Sequence, residues 1–90
     1  MPSNQHLQHA RTALEECARL ADDELRDDLR ETAASFAAIA SGDQEADYAV
    51  IDEHLNVLRQ ANREADGEVA NGIERALESA EAYRAQLEQG

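Results

Sequence analysis

Three histidines and a single cysteine are the side chains here best suited to metal or nucleophilic chemistry. His6 and His9 stand three apart, a spacing that lets two imidazoles on one helix share an ion. A third ligand would have to come from His54 or a nearby carboxylate. Neither histidine lies at the centre of the apolar stripe that runs through Leu7, and two polar residues near a fraying end need no ion to explain them. No Glu-x-x-His pair of the di-iron kind occurs. Cys17 falls within the apolar stripe. A nucleophile needs an adjacent base and an activated thiolate, whereas an unpaired cysteine in such a stripe reads as a small buried hydrophobe. Carboxylates are abundant, but paired acids do catalytic work only in differing environments. Asp23, Asp27 and Glu31 share one solvated face. Arginines stand one turn from several acids, as in Glu15 with Arg19, Asp22 with Arg26 and Asp27 with Arg30. There is no Gly-rich phosphate loop, no G-x-S-x-G elbow and no Cys-x-x-Cys. The expectation is a chain with no catalytic residue, no metal site, no cofactor and no small-molecule substrate.

Charge says more than motif. The 90 residues carry 20 acids against 8 bases, a net charge of −12, and every base is arginine. Nucleic acid and anionic membranes are poor partners for such a surface, since both demand a basic patch. Two readings compete for the acidity. One is adaptation to a salt-saturated cytoplasm, where screening removes the self-repulsion of dense carboxylates. The other is a functional acidic face that engages a basic partner. The acids run the length of the chain and lysine is absent throughout, so the bias is global and favours salt adaptation. One cysteine makes no internal disulfide, which fits a reduced, intracellular setting. The start, MPSNQHLQHA, has no signal-peptide core, and no run reaches the length of a membrane span. A soluble cytoplasmic protein is expected.

These side chains must be positioned by helices. Apolar residues recur at helical spacing: Leu7, Ala10, Leu14, Cys17 and Ala21; then Leu25, Leu29, Ala33, Phe36 and Ile39; then Tyr48, Ile51, Leu55, Leu58 and Ala65; then Val69, Ile73, Leu77, Ala80, Tyr83 and Leu87. No stretch alternates as a strand does. The fragment RLADDELRDDLRE at 19–31 returns as READGEVANGIER at 63–75, a phrase that reads as a helix–turn–helix joint used twice. Arg19 and Arg63 fit the last turn of a helix, and Asp22 or Asp23, and Asp66, fit the cap of the next. Gly67 tolerates the positive φ of a tight reversal. In ASGD at 40–43, Gly42 suits a left-handed helix end and Asp43 an N-cap. The chain therefore reads as one domain over 1–90, an all-α antiparallel four-helix bundle of two tandem αα-hairpins, with an internal repeat at about 4–41 and 45–88. Because the apolar phase does not slip at either joint, one long two-helix hairpin that dimerises is the alternative. Against it stands Gly67, which in mid-helix would cost about 1 kcal/mol relative to alanine. Gly72, beside the buried stripe, reads as a point where a neighbouring helix comes close.

The third segment carries a second apolar arc of Val50, Val57 and Ala61, with His54 among them. Its apolar face is wider than one buried side requires. Either this helix is the most central, or Val50, His54, Val57 and Ala61 form an association surface.

The joint ADDELRDDL, repeated as ADGEVANGI, with arginine-only basicity and the tail AYRAQLEQG, resembles small acidic helical proteins of halophilic archaea, a domain of unknown function. The resemblance spans nearly the whole chain. It implies a salt-adapted cytoplasmic protein and carries over no activity, ligand or catalytic residue. The functional expectation is a non-enzymatic helical protein that associates with a protein partner or with itself. The alternative is an acidic regulator or decoy that binds a basic protein surface.

Overall fold

A computed structural model describes residues 4–45 and 47–89, with side chains through Leu87. Residues 1–3, 46 and 90, which the single-domain reading includes, lie outside them. The described residues form four helices, α1 (Asn4–Ala18), α2 (Asp23–Ser41), α3 (Tyr48–Glu64) and α4 (Gly67–Gln89), and no strand. Both repeated phrases are true turns, so the chain is the expected all-α antiparallel bundle of four helices and not one long hairpin. No helix is long and apolar enough to cross a membrane.

Local chemistry sets each boundary. Asp22, in extended backbone, accepts a hydrogen bond from the Leu25 N–H at 3.1 Å and opens α2, which satisfies one of the donors a helix start leaves bare. Gly42 closes α2 at φ 88°, its N–H reaching back to Ala38 and Ile39. Asp43 does not cap the next helix. Its N–H and that of Gln44 both still bond to the Ala38 carbonyl, at 2.9 and 3.2 Å. The chain stays wrapped on the end of α2, and the cap of α3 falls to Asp47, which accepts from Ala49 N–H at 2.9 Å. Gly67 takes φ 59° at the last reversal, a conformation that costs a side-chain-bearing residue about 1–2 kcal/mol.

The arginines are also placed differently from the sequence expectation. Arg63 lies in the last turn of α3, but α1 ends at Ala18, one residue before Arg19. Arg26 does that work from the next helix. Its Nε donates to the Ala18 carbonyl at 3.3 Å and its Nη2 to that of Ala21 at 3.1 Å, closing the end of α1. Asp22 is engaged as a cap, so Arg26 pairs with Asp23 at 3.4 Å. Glu15 pairs with Arg11 at 2.8 Å and not with Arg19. No ion pair joins Asp27 to Arg30 among the described residues.

Antiparallel register is visible at each seam. Asn4 at the start of α1 donates to the Ala40 carbonyl near the end of α2 at 2.9 Å. Arg84 late in α4 grips Asp52 early in α3 at 2.5 Å, and Arg59 meets Glu81 at 3.6 Å. α1 packs extensively on both α2 and α4, α3 mainly on α4, and the α2–α3 seam is the sparsest. The best-covered helix is therefore α1, not α3. The fully buried large side chains are Phe36, Leu7, Leu14, Leu29, Ile51, Leu55, Leu58 and Ile73, each stabilising by about 1.5–3 kcal/mol. Alanine fills much of the remainder, so the core is thin. Tyr48, expected in the apolar stripe, is instead exposed on the first turn of α3, with the Arg84 guanidinium 5.4 Å from its ring centroid.

Candidate interaction surface

Small residues bring α1 and α4 together. Ala13 and Cys17 on α1 face Gly72 on α4, and a Cβ built on Gly72 would stand 2.7 Å from the Cys17 Cβ and 3.2 Å from its Sγ. Glycine is required there because no larger residue fits without displacing a helix. The close approach leaves a groove of about 310 Å³ whose floor is Ala13, Cys17 and Gly72. Glu16 rises on the α1 side, Glu68, Asn71 and Arg75 on the α4 side, and Leu20 stands at one end. Leu20 is 61% exposed, more than any other large apolar side chain described. Among the described residues Glu16, Glu68 and Arg75 make no ion pair.

The thiol below this floor is not poised for attack. Cys17 is 3% exposed, and burial pushes its pKa up, the wrong direction for a nucleophile. His6 is half-buried and His9 exposed, and among the described residues no three His, Cys, Asp or Glu side chains are grouped so as to hold a metal ion.

The arc of Val50, His54, Val57 and Ala61 is divided by the fold. Ala61 is buried, Val50 packs on the core at half burial, and Val57 is exposed. His54 is half-buried and sets its ring edge-on to Phe36, with centroids 5.6 Å apart. Burial lowers the His54 pKa, while Glu53 and Glu31 pull it the other way. Its Nε2 is sealed from solvent without a hydrogen-bond partner, as is the Asn62 Oδ1 two turns further on. Part of the arc thus covers the sparse α2–α3 seam, and Val57 alone points freely outward.

Acids gather at the opposite end of that seam. Asp22, Glu24, Asp27 and Asp28 at the start of α2 ring a hollow with Glu64 at the end of α3. Asp22 is the helix cap; Glu24, Asp27, Asp28 and Glu64 make no ion pair among the described residues.

A family of unknown function, DUF7553, matches residues 2–86. The chain belongs to that family. No curated protein and no solved structure matches it. Membership in DUF7553 brings no substrate or ligand with it, so the surface must speak through its own residues.

Sequence reasoning marked Gly72 as a close approach and Cys17 as buried, and these two residues make the floor of the groove. It missed Leu20. The signal was present: Leu20 breaks the helical spacing that runs from Cys17 to Ala21, and an apolar residue off the stripe faces solvent. The Arg26 contacts to α1 had no local signal, since they join residues five and eight apart across a turn.

Proposed function

We propose that this member of DUF7553 is a non-catalytic, salt-adapted helical module that acts by protein association, through the groove between α1 and α4. The observation that carries the reading is Leu20, a largely exposed leucine at the end of a groove with a small apolar floor. A lone exposed leucine is ordinary. One placed beside a concave apolar floor, with charged walls, has the layout of an association site: apolar centre, polar rim. The non-catalytic reading is supported by the buried, raised thiol of Cys17 and by the scatter of the histidines. Twenty acids and eight arginines without lysine support a halophile's cytoplasm. The test is capture from the native lysate in multimolar potassium chloride, with the wild type beside Leu20→Glu. A stoichiometric companion retained by the first and lost by the second is expected. Equal recovery by both would sink the groove as the surface.

The runner-up is an acidic regulator that docks on a basic protein. Its support is the hollow ringed by Glu24, Asp27, Asp28 and Glu64, whose carboxylates make no ion pair among the described residues. Asp27→Asn with Asp28→Asn and Glu64→Gln should then abolish capture that Leu20→Glu leaves intact.

A further inference from the structure

We infer that the occupant of the α1–α4 groove is a second copy of this chain, docked antiparallel about a two-fold axis over the Cys17–Gly72 contact; this rests on the association reading above. A two-fold interface must be self-complementary, each feature meeting its counterpart twice. The two walls of the groove have that pattern. On the α1 side Ala13 and Leu20 are seven residues apart, and their midpoint falls beside Cys17. On α4 Glu68 and Arg75 are seven apart, and their midpoint falls beside Gly72. On α4 seven residues are two helical turns, about 10 Å, so Glu68 and Arg75 share a face; on the other wall Leu20 lies in the turn two residues past Ala18, folded back on the end of α1. Cys17 lies against Gly72, so an axis over that contact passes between Glu68 and Arg75 on one wall and between Ala13 and Leu20 on the other.

Rotation about that axis lays each end of a wall over the other end of the same wall in the second copy. Leu20, which is 61% exposed, comes over Ala13, whose short side chain leaves room for it. The Leu20 N–H bonds back to the Cys17 carbonyl at 3.0 Å, which holds the residue close above the end of α1. Arg75 comes over Glu68, and the reverse pair forms on the other side of the axis. Neither charge has an ion-pair partner within its own chain among the described residues. The same rotation sets Glu16 near its own counterpart. That repulsion, added to a charge of −12 on each copy, makes the contact one that salt strengthens.

Sedimentation equilibrium of the full chain in multimolar potassium chloride, from micromolar to millimolar, tests this. The wild type is expected to pass from 9.9 kDa to twice that mass, and at lower concentration as salt rises. Leu20→Glu, on an exposed position that leaves the core untouched, should hold the chain monomeric. Arg75→Glu or Glu68→Arg alone should weaken dimerisation by about threefold or more, most clearly at the lowest salt at which the dimer forms, and the two together should restore it, as expected of a direct charge pair. Glu16→Gln should tighten it. A mass of 9.9 kDa throughout overturns the second copy; if Leu20-dependent capture from lysate then persists, the association reading stands with another partner. A dimer indifferent to Leu20→Glu and to both charge reversals overturns the second copy at this groove and the groove itself.

Discussion

Gly72 of α4 seats directly against Cys17 of α1: a methyl group on Gly72 would stand 2.7 Å from the Cys17 Cβ. Alanine would raise helix propensity at Gly72 by about 1 kcal/mol, yet overpacking costs about 1–3 kcal/mol. The contact is to a Cβ on a helix and not to a flexible chain end, so overpacking wins. Gly72→Ala should lower the denaturation midpoint at fixed salt. A midpoint that rises would mean the helices can separate freely.

Arg26 ties the first hairpin. Its guanidinium closes α1 through the Ala18 and Ala21 carbonyls while it also meets Asp23. Arg26→Met keeps the aliphatic stem and removes the donors. A loss of about 1 kcal/mol is expected, because the side chain is partly solvated and each such bond nets only modest stability. Arg19→Met, one residue past the end of α1, should change little. Chemical denaturation of the two variants side by side checks the contrast.

His54 makes the bundle sensitive to mild acid. Its pKa lies below the ordinary 6.5, chiefly through burial, with Glu53 and Glu31 on α3 and α2 offsetting part of the fall. The unfolded chain therefore binds the proton more readily than the folded one. Stability is fully present above the unfolded value and declines as pH falls below it. Asp52 acts lower: the Arg84 hydrogen bond holds its pKa under the ordinary 3.8, so its contribution disappears only in stronger acid. Between about pH 7.5 and pH 5.5 the wild type should lose stability faster than His54→Gln. Parallel profiles for the two proteins would remove His54 from the account.

Salt should stabilise the fold. Twenty acids against eight bases repel one another, while among the described residues the ion pairs are those of Arg11, Arg26, Arg59 and Arg84, and screening contracts from about 10 Å at 0.1 M salt to about 3 Å at 1 M. The thermal midpoint is expected to climb steadily with potassium chloride. A midpoint that falls would show that the ion pairs outweigh the repulsion.

Much of the fold was legible because it rests on local physics. The apolar spacing put Leu7, Leu14, Leu29, Phe36, Ile51 and Ile73 inside, and all are buried. Asp22 caps α2 through its own carboxylate, Gly42 and Gly67 turn the chain through their positive φ, and these roles could be read from residue type. What escaped depends on contacts between elements. Asp43 was expected to cap α3, but the turn after Gly42 keeps the Asp43 and Gln44 N–H groups on Ala38, and the helix starts only at Tyr48, capped by Asp47. Arg26 works across a turn. Tyr48 fits the apolar spacing of α3 but sits at its first residue, outside the core, where only the Arg84 guanidinium of α4 is seen over its ring. The candidate groove was half visible: Gly72 and Cys17 were each read correctly, but only the packing of α1 on α4 sets Leu20, Glu68 and Arg75 around them.

The most direct measurement is a dilution series of amide nuclear-magnetic-resonance spectra in multimolar potassium chloride. Concentration-dependent shifts are expected at Ala13, Glu16, Leu20, Glu68, Asn71 and Arg75, with α2 and the outer face of α3 unchanged. Spectra that do not depend on concentration, or shifts centred on Val57 and His54, would contradict a dimer through the groove.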